Sequence, residues 1–259
     1  MATEIGWVGL AASLLLIALA LGLSLGQGLK LELSIGWAAG RAAVQLLLVG
    51  LALGLVLDDD SPQLLSWLWV VAMVVFAAVT IRARASGVPG IFAISLVAMT
   101  LVTGVSLGVI FGLGIFPVEP VAIVPMAGLM IGNSMAQTVL AATRMVAEVR
   151  DSREEVEVRL ALGQPWQTAS RPYVIEALRT ALIPQIERTK AVGIVILPGA
   201  MTGLILAGVD PADAVRIQLA VMYLILGSVA TTATVVALGV RRRLFTSDHR
   251  LASLPELTR

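Results

Sequence analysis

The sequence predicts an all-α polytopic membrane protein of about seven transmembrane helices, with its N-terminus outside and its C-terminus in the cytoplasm. Three observations predict this fold class: the composition, a series of long apolar stretches, and the distribution of basic residues. Of the 259 residues, 58% are hydrophobic and only 14% are charged, whereas soluble domains have about 25% charged residues. A soluble α-helical protein of this sequence would lack the polar residues needed to cover its surface.

Seven stretches of the chain are apolar and long enough to cross a bilayer, because a helix rises about 1.5 Å per residue and about 20 residues cross the hydrocarbon core. They cover residues 5–26, 35–57, 64–81, 88–116, 121–143, 191–209 and 217–240. We expect each stretch to form one spanning helix. The fourth is longer than one crossing requires, and its glycines predict that the helix tilts or breaks near its end.

The basic residues predict the orientation, because cytoplasmic loops of membrane proteins are enriched in lysine and arginine. If the N-terminus is outside, the cytoplasmic segments hold 17 of the 18 basic residues, and Arg216 alone falls outside. Acidic residues collect in the outside segments, including a run at residues 58–60 that we interpret as a solvated turn. This asymmetry favours an odd number of spans.

Several classes of function are excluded by residues that the sequence lacks. It has no cysteine and a single histidine, His249, in a charged tail, so neither a cysteine-ligated metal nor a histidine base is expected. No G-x-x-x-x-G-K-[ST] phosphate loop and no hydrolase motif is present. We therefore expect no covalent catalysis by this chain. A net charge of +1 gives no sign of nucleic-acid binding.

Residues 144–190 form the one long segment predicted to face water, and it opens with a short amphipathic helix over residues 153–163. Val156, Leu160 and Gly163 share one face of this helix. Glu155 and Arg159 are spaced as a favourable i,i+4 ion pair. Gly163 is expected to end the helix in the C′ position, with a proline soon after it.

A second helix is predicted to begin near Pro172, with Val174, Leu178 and Leu182 as its apolar stripe. Pro184 is expected to kink or stop it. The segment has two interpretations: a solvated loop with surface helices, or a docking platform like the coupling helix of transport permeases. The residues placed at such a contact are Glu157, Ala161, Leu162 and Gly163.

A few polar or helix-breaking residues lie within the predicted spans, where such groups usually face the bundle interior. Arg41 and Gln45 are four residues apart and share one face of the second helix. The fifth span contains the polar cluster at residues 132–135, and the sixth contains residues 197–203. In the sixth span, Pro198 predicts a break in the helix near mid-membrane. Close helix packing explains each feature as well as a solute pathway does, so both alternatives stay open.

Three methionines, Met126, Met130 and Met201, offer thioether sulfurs to a soft metal ion. Methionine at helical spacing also serves as adaptable packing, which is the commoner use.

Taken in order, these motifs resemble the membrane subunit of the FetB/YbbM family of ABC transporters. The matching segments are RAAVQL at residues 41–46, GNSM at 132–135, ALG at 161–163, EALRTALIP at 176–184 and LPGAMTG at 197–203. One departure is Ala200, where relatives more often have methionine.

The resemblance implies one permease domain over residues 1–259 in the bacterial inner membrane. It also implies two partners, a cytoplasmic ABC ATPase subunit that binds ATP and Mg²⁺, and a second copy of the chain. Bacterial relatives imply iron export, and plant relatives imply aluminium tolerance or transport of a nucleotide sugar. The residues expected along the translocation pathway are Arg41, Gln45, Asn133, Ser134, Met135, Pro198, Gly199, Met201 and Thr202.

Two other classes of function stay open on the sequence. An ion-coupled carrier or channel acting alone would normally need an acid or base inside the membrane. A membrane scaffold without transport would need neither the broken sixth span nor the polar cluster around Asn133.

Overall fold

The chain is described by a computed structural model over residues 7–58, 61–194, 196–246 and 248–252, and helices dominate these residues. The helices are α1 Trp7–Gln27, α2 Glu32–Val56, α3 Leu64–Arg84, α4 Ile91–Gly112, α5 Pro120–Asp151, α6 Arg153–Ala161, α7 Trp166–Ala169, α8 Arg171–Lys190, α9 Gly199–Leu206 and α10 Pro211–Arg243. Pairing between extended segments in the described part is limited to two isolated bridges, Val192–Ile196 and Phe245–Leu251. The all-α prediction is therefore confirmed.

Among the described residues, five helices are long and apolar enough to cross a membrane: α2, α3, α4, α5 and α10. A further apolar helical stretch, Leu14–Gln27, lies within α1. The multi-pass prediction is thus confirmed, while the count of seven spans and the orientation stay predictions. The fourth helix is not overlong, because it ends at Gly112 and Gly114 follows in a left-handed turn with φ +66°.

The chain divides into two compact units, Met1–Pro62 and Gln63–Arg259. The first contains α1 and α2, which contact each other. The turn between them is fixed by Ser24, whose hydroxyl donates to Glu32 Oε1 over 2.7 Å and accepts from the Leu31 N–H over 3.3 Å. Lys30 completes the turn with a positive φ of 57°. The predicted acidic turn at residues 58–60 lies mostly outside the described residues.

In the second unit, α5 is the central helix and contacts α3, α4, α8 and α10. Small residues lie where helices of this unit pack closely against one another. Ala141 of α5, Ala181 of α8 and Ala233 of α10 are fully buried in one cluster. Where α4 and α10 cross, a Cβ on Gly239 would lie only 2.7 Å from Ile94 Cγ2.

Two spanning helices are longer than the sequence predicted. α5 continues past residue 143 to Asp151, because Met145, Val146 and Val149 keep burying an apolar face beyond the membrane segment. α10 begins at Pro211, where the side chain of Asp210 accepts a hydrogen bond from the Ala212 N–H over 2.8 Å. This N-cap supplies an acceptor for one of the first-turn N–H groups, which have no backbone acceptor of their own.

Pro184 neither stops nor divides α8, which continues to Lys190 with Pro184 on its exposed side. The buried line of α8 is Tyr173, Ala177, Ala181 and Gln185, repeating every four residues. The predicted stripe is therefore confirmed in part, because Val174 is buried whereas Leu178 and Leu182 are half-buried.

The sixth predicted span is not one continuous helix, which corrects the expectation for residues 191–209. The chain leaves α8 at Lys190 and makes a tight turn, in which the Gly193 N–H donates to the Ile196 carbonyl over 2.9 Å. Among the described residues of the predicted span, only α9 is helical. Its eight residues extend about 12 Å, well short of the ~30 Å hydrocarbon core.

The described part of the C-terminal tail folds back onto α7. The rings of Trp166 and Phe245 stack with centroids 5.7 Å apart, and the Arg241 guanidinium lies 5.2 Å from the Trp166 ring. His249 Nδ1 accepts a hydrogen bond from the Trp166 N–H over 3.2 Å. We call these four residues the tail clasp.

Candidate functional site

A cavity of about 260 Å³ lies among α5, α8, α10 and the break that precedes α9. It is a polar site built into an otherwise apolar bundle. Its lining residues are Leu129, Asn133, Gln185, Arg188, Val192, Ile196, Leu197, Pro198, Gly199, Ala200, Gln218, Val221, Met222 and Ile225. We refer to it below as the polar cavity.

The polar cavity lies partway along α5, as the packing of α8 against α5 shows. Ala181 of α8 shares a cluster with Ala141, and Gln185 lines the cavity together with Asn133. Asn133 is thirteen residues from the start of α5, which corresponds to about 20 Å along the helix. The two helices therefore run antiparallel, and the second half of α8 lies beside the apolar part of α5.

Three carboxamide side chains converge on the polar cavity from three helices. Asn133 is half-buried, and its Nδ2 donates to the Leu129 carbonyl over 2.7 Å, which leaves its Oδ1 available. Gln185 of α8 and Gln218 of α10 are only 3% and 6% exposed. The Oε1 of Gln218 is buried without a hydrogen-bond partner among the described residues. An unpaired buried amide is unfavourable unless a water or a ligand satisfies it.

The N-terminus of α9 borders the same cavity. Pro198 is its N-cap with an extended backbone, and Gly199 and Ala200 line the wall. Thr202 closes the first turn, since its N–H donates to the Pro198 carbonyl over 3.1 Å and its Oγ1 donates to the Gly199 carbonyl over 3.0 Å. The preceding N–H groups of α9 have no intrahelical acceptors.

The residues predicted for a pathway are only partly brought together. Asn133, Pro198 and Gly199 line the polar cavity, and Met201 and Thr202 follow them in α9. Ser134 is buried at 2% exposure outside the lining, and Met135 packs against the main core. Arg41 and Gln45 are exposed residues of α2, in the other compact unit.

The three methionines proposed as metal ligands occupy separate surroundings. Met130 is 1% exposed within the main core, and Met126 packs against two core clusters. Met201 is half-buried in α9. A metal role for them stays a prediction. The described residues contain no group of three histidine, cysteine, aspartate or glutamate side chains that could hold a metal ion.

Two residues of the polar cavity, Gln185 and Arg188, were missed in the sequence because α8 was assigned to a water-facing segment. The spacing of Tyr173, Ala177, Ala181 and Gln185 is a signal that could have revealed one of them. Such a line of small residues ending in an amide is typical of close helix packing around a polar group. Gln218 lies in the seventh predicted span and is not among the residues predicted for the pathway.

The predicted coupling helix is present as α6, and its C-terminus has the expected form. Gly163 adopts φ +83°, its N–H donates to the Leu160 carbonyl, and the Gln164 N–H donates to the Arg159 carbonyl. This pair of bonds is a Schellman motif, which favours glycine at the left-handed position. The prediction for the end of this helix is therefore confirmed.

The two faces of α6 differ in what they contact. Val156 is fully buried and Leu160 packs against the main core. On the other side Val158 is 58% exposed and Leu162 is 76% exposed. Ala161 and Gly163 are exposed next to Leu162. This face is an apolar patch in a segment that is otherwise rich in charge.

Two ion pairs join residues within α6, and Glu155 also lies beside Tyr173 of α8. The Arg159 guanidinium donates to Glu155 Oε1 over 2.6 Å, and Arg153 donates to Glu157 over 2.8 Å. The hydrogen bond from Arg159 lowers the pKa of Glu155. Burial, together with the adjacent Glu155 carboxylate, raises the pKa of Tyr173 at the start of α8.

Comparison with known proteins identifies the family. The model of "Uncharacterised protein family (UPF0014)" matches residues 7–245. The chain belongs to the UPF0014 family. It is 31% identical over 242 residues to the "Probable iron export permease protein FetB" of Escherichia coli, covering 93% of each chain.

Other UPF0014 relatives come from distant organisms. The chain is 34% identical to the "UPF0014 membrane protein YjkA" of Bacillus subtilis, over 91% of this chain and 93% of that one. It is 34% identical to the "UPF0014 membrane protein STAR2" of rice, over 86% of this chain and 78% of that one. No solved structure matches. The UPF0014 chain is a multi-pass membrane protein, consistent with its five long apolar helices.

Proposed function

We propose that this chain is the permease subunit of an ABC transporter that exports iron, driven by a separate cytoplasmic ATPase subunit that binds ATP and Mg²⁺. Iron is proposed as the cargo because the Escherichia coli relative is named as a probable iron export permease. The N-terminus lies outside the cell, and the membrane is the bacterial inner membrane. Two copies of the permease and two ATPase subunits make up the working assembly.

The observation that carries this proposal is the exposed apolar face of α6. A solvated surface helix has no need of Leu162 at 76% exposure beside Val158 at 58%. A helix that inserts into a groove of a partner needs such a face, together with a rigid attachment on its other side. Val156, fully buried, provides that attachment.

The connections of α6 explain how motion of an ATPase would reach the polar cavity. A single residue, Ser152, separates α6 from α5, and Glu155 lies beside Tyr173 of α8. Both α5 and α8 contribute walls of the polar cavity. A displacement of α6 on ATP binding would therefore shift two walls together and open the cavity alternately to each side.

A carrier that works alone by ion coupling is less well supported. Coupling by protons or cations normally requires an acidic or histidine side chain at the solute site. Among the described residues that line the polar cavity there is no carboxylate and no histidine.

The test is co-purification with the ATPase subunit, followed by ATPase activity in lipid with and without Fe(II). Leu162→Glu places a charge on the exposed face of α6 without entering the core, and we expect it to abolish both association and iron-stimulated ATP hydrolysis. Gln167→Glu adds the same charge at an exposed position of α7 and should change neither. Gly163 is a poorer target, because any side chain there strains the left-handed backbone.

Three results would contradict parts of the proposal. Failure of any ATPase to bind the wild-type chain would contradict the permease assignment itself. Unchanged association of Leu162→Glu would exclude α6 as the contact. Association without stimulation by iron, added either as free Fe(II) or as ferric citrate, would leave the transporter intact and exclude iron as its cargo.

A further inference from the structure

The charge of the polar cavity is positive. Arg188 is the one charged residue among its described lining residues, and no carboxylate lies within ion-pair distance of Arg188 in the described part of the chain. The neighbouring Glu187 is already paired with Lys190, 2.8 Å away. Arg188 is exposed at the rim of the cavity, so its guanidinium is free to pair with an anion that enters there.

The backbone adds to this positive potential. The first N–H groups of α9, at Gly199 and Ala200, border the cavity and lack intrahelical acceptors. A helix N-terminus carries a partial positive charge of about half an elementary unit. It therefore attracts anions and repels cations, in the same direction as Arg188.

Two buried amides supply the remaining recognition groups. Gln185 and Gln218 are more than nine-tenths buried, and they line the cavity from different helices. The Oε1 of Gln218 has no partner among the described residues. That oxygen is an acceptor and can take a hydrogen bond from a hydroxyl group of the solute, whereas the Nε2 groups of the two glutamines can donate to the oxygens of an anion.

We propose that the polar cavity binds the oxyanion group of a small solute, a phosphate or a carboxylate, with Arg188 as the paired cation and the N-terminus of α9 as the second donor. The inference rests on the proposed transport function for its role, since the bound solute would be the cargo. Iron would then enter as an anionic chelate and never as the bare ion.

The donor set excludes a bare divalent cation from this cavity. Iron and similar ions are held in proteins by carboxylate, imidazole or thiolate ligands, and the described lining offers none of these. Its neutral oxygens, on three amides and a few carbonyls, would have to overcome repulsion from both Arg188 and the α9 terminus.

The test is ligand-induced thermal stabilisation of the full-length chain in a detergent with an uncharged head group, so that lipid phosphate does not compete. The probes are inorganic phosphate, citrate, ferric citrate and Fe(II) alone. We expect at least one anion to raise the melting temperature in a saturable way. Arg188→Gln should weaken this binding about tenfold or more, as for loss of a charged hydrogen bond.

Lys190→Gln is the matched control, because it removes a positive charge two residues away that does not line the cavity. It should bind anions like the wild type. Equal melting temperatures of the three proteins without ligand would show that each is folded. Gln218→Leu provides a second variant that keeps Arg188 and should also weaken anion binding.

Stabilisation by citrate and ferric citrate alike would indicate recognition of the organic anion, and stabilisation by ferric citrate alone would indicate a chelate; both support the proposal. Stabilisation by Fe(II) alone, no stabilisation by any anion, or undiminished anion binding in Arg188→Gln would overturn it. Because this assay contains no ATPase, its failure leaves the proposed ATPase partnership to be judged by co-purification.

Discussion

At the scale of single residues, the contact between Glu155, Arg159 and Tyr173 joins α6 to α8, the helix that reaches the polar cavity. Glu155 is charged and exposed, whereas Tyr173 is 7% exposed. The pKa of the tyrosine is raised mainly by its burial and further by the Glu155 carboxylate. Both causes favour the neutral phenol in the folded protein.

The pH dependence of Tyr173 gives the first prediction at this scale. The difference in phenolate absorbance between the wild type and Tyr173→Phe should titrate above the ordinary value of 10.0. Since folding favours the neutral form, its contribution to stability is present below that value and is lost as pH rises through the raised pKa. Glu155→Gln should lower the pKa of Tyr173 only part of the way, because burial remains.

An unchanged titration of Tyr173 in Glu155→Gln would contradict the contact between the two side chains. Glu154→Gln is the control, because it removes a neighbouring exposed charge of the same helix that does not contribute to the raised pKa of Tyr173.

Single residues also show what sequence reasoning can reach. Asn133 and Pro198 were identified correctly as a polar group and a break, because each is unusual inside an apolar stretch. Ser134 and Met135 are neighbours of Asn133 in sequence, but they project from other sides of the same helix, so adjacency could not place them. Placing Gln185 and Arg188 in the polar cavity would have required knowing which helices lie next to α8.

At the scale of elements, α6 was predictable because every signal for it is local. Its ion pairs, its apolar face and its glycine terminus all lie within twelve residues of one another. The path of α8 was not predictable in this way. Its charged residues indicate a water-facing helix, whereas its position is determined by alanines of α5 and α10 far away in sequence.

The crossing of α4 and α10 yields a prediction for an element. Gly239→Ala would bring a methyl group against Ile94, whose β-branched side chain has little freedom to move. We expect a loss of about 1–3 kcal/mol in stability, measured by reversible unfolding in mixed micelles.

Gly227→Ala serves as the control within the same helix, because a Cβ there meets open space. It should be neutral or stabilising by up to about 1 kcal/mol, since alanine favours helix more than glycine does. Equal effects of the two substitutions would contradict the close crossing at Gly239.

At the scale of the whole molecule, the tail clasp joins the last described residues to the segment between α6 and α8. Trp166 and His249, which are 83 positions apart in sequence, form a hydrogen bond there. The clasp holds the end of α10 beside the start of α8, at the same end of the second unit as α6.

Trp166→Ala should therefore release the tail. We expect a loss of about 1–2 kcal/mol from the aromatic stack and the cation–π contact. The tail beyond Leu244 should also become sensitive to limited proteolysis. Trp166→Phe keeps a ring against Phe245 and should remain largely protected; proteolysis that is equally fast in the wild type would contradict the clasp.

The charges of α8 also have a consequence during synthesis, because the helices leave the ribosome in chain order. Each Arg, Lys or Asp costs about 2.5–3.5 kcal/mol at the centre of a membrane-inserted helix, so α8, with Glu176 and Arg179 near its middle, cannot partition into lipid by itself. Part of the surface against which α8 packs belongs to α10, which is synthesised later. During biosynthesis α8 must wait at the membrane surface until α10 has been inserted, and a nascent chain interrupted before Pro211 would carry no polar cavity at all.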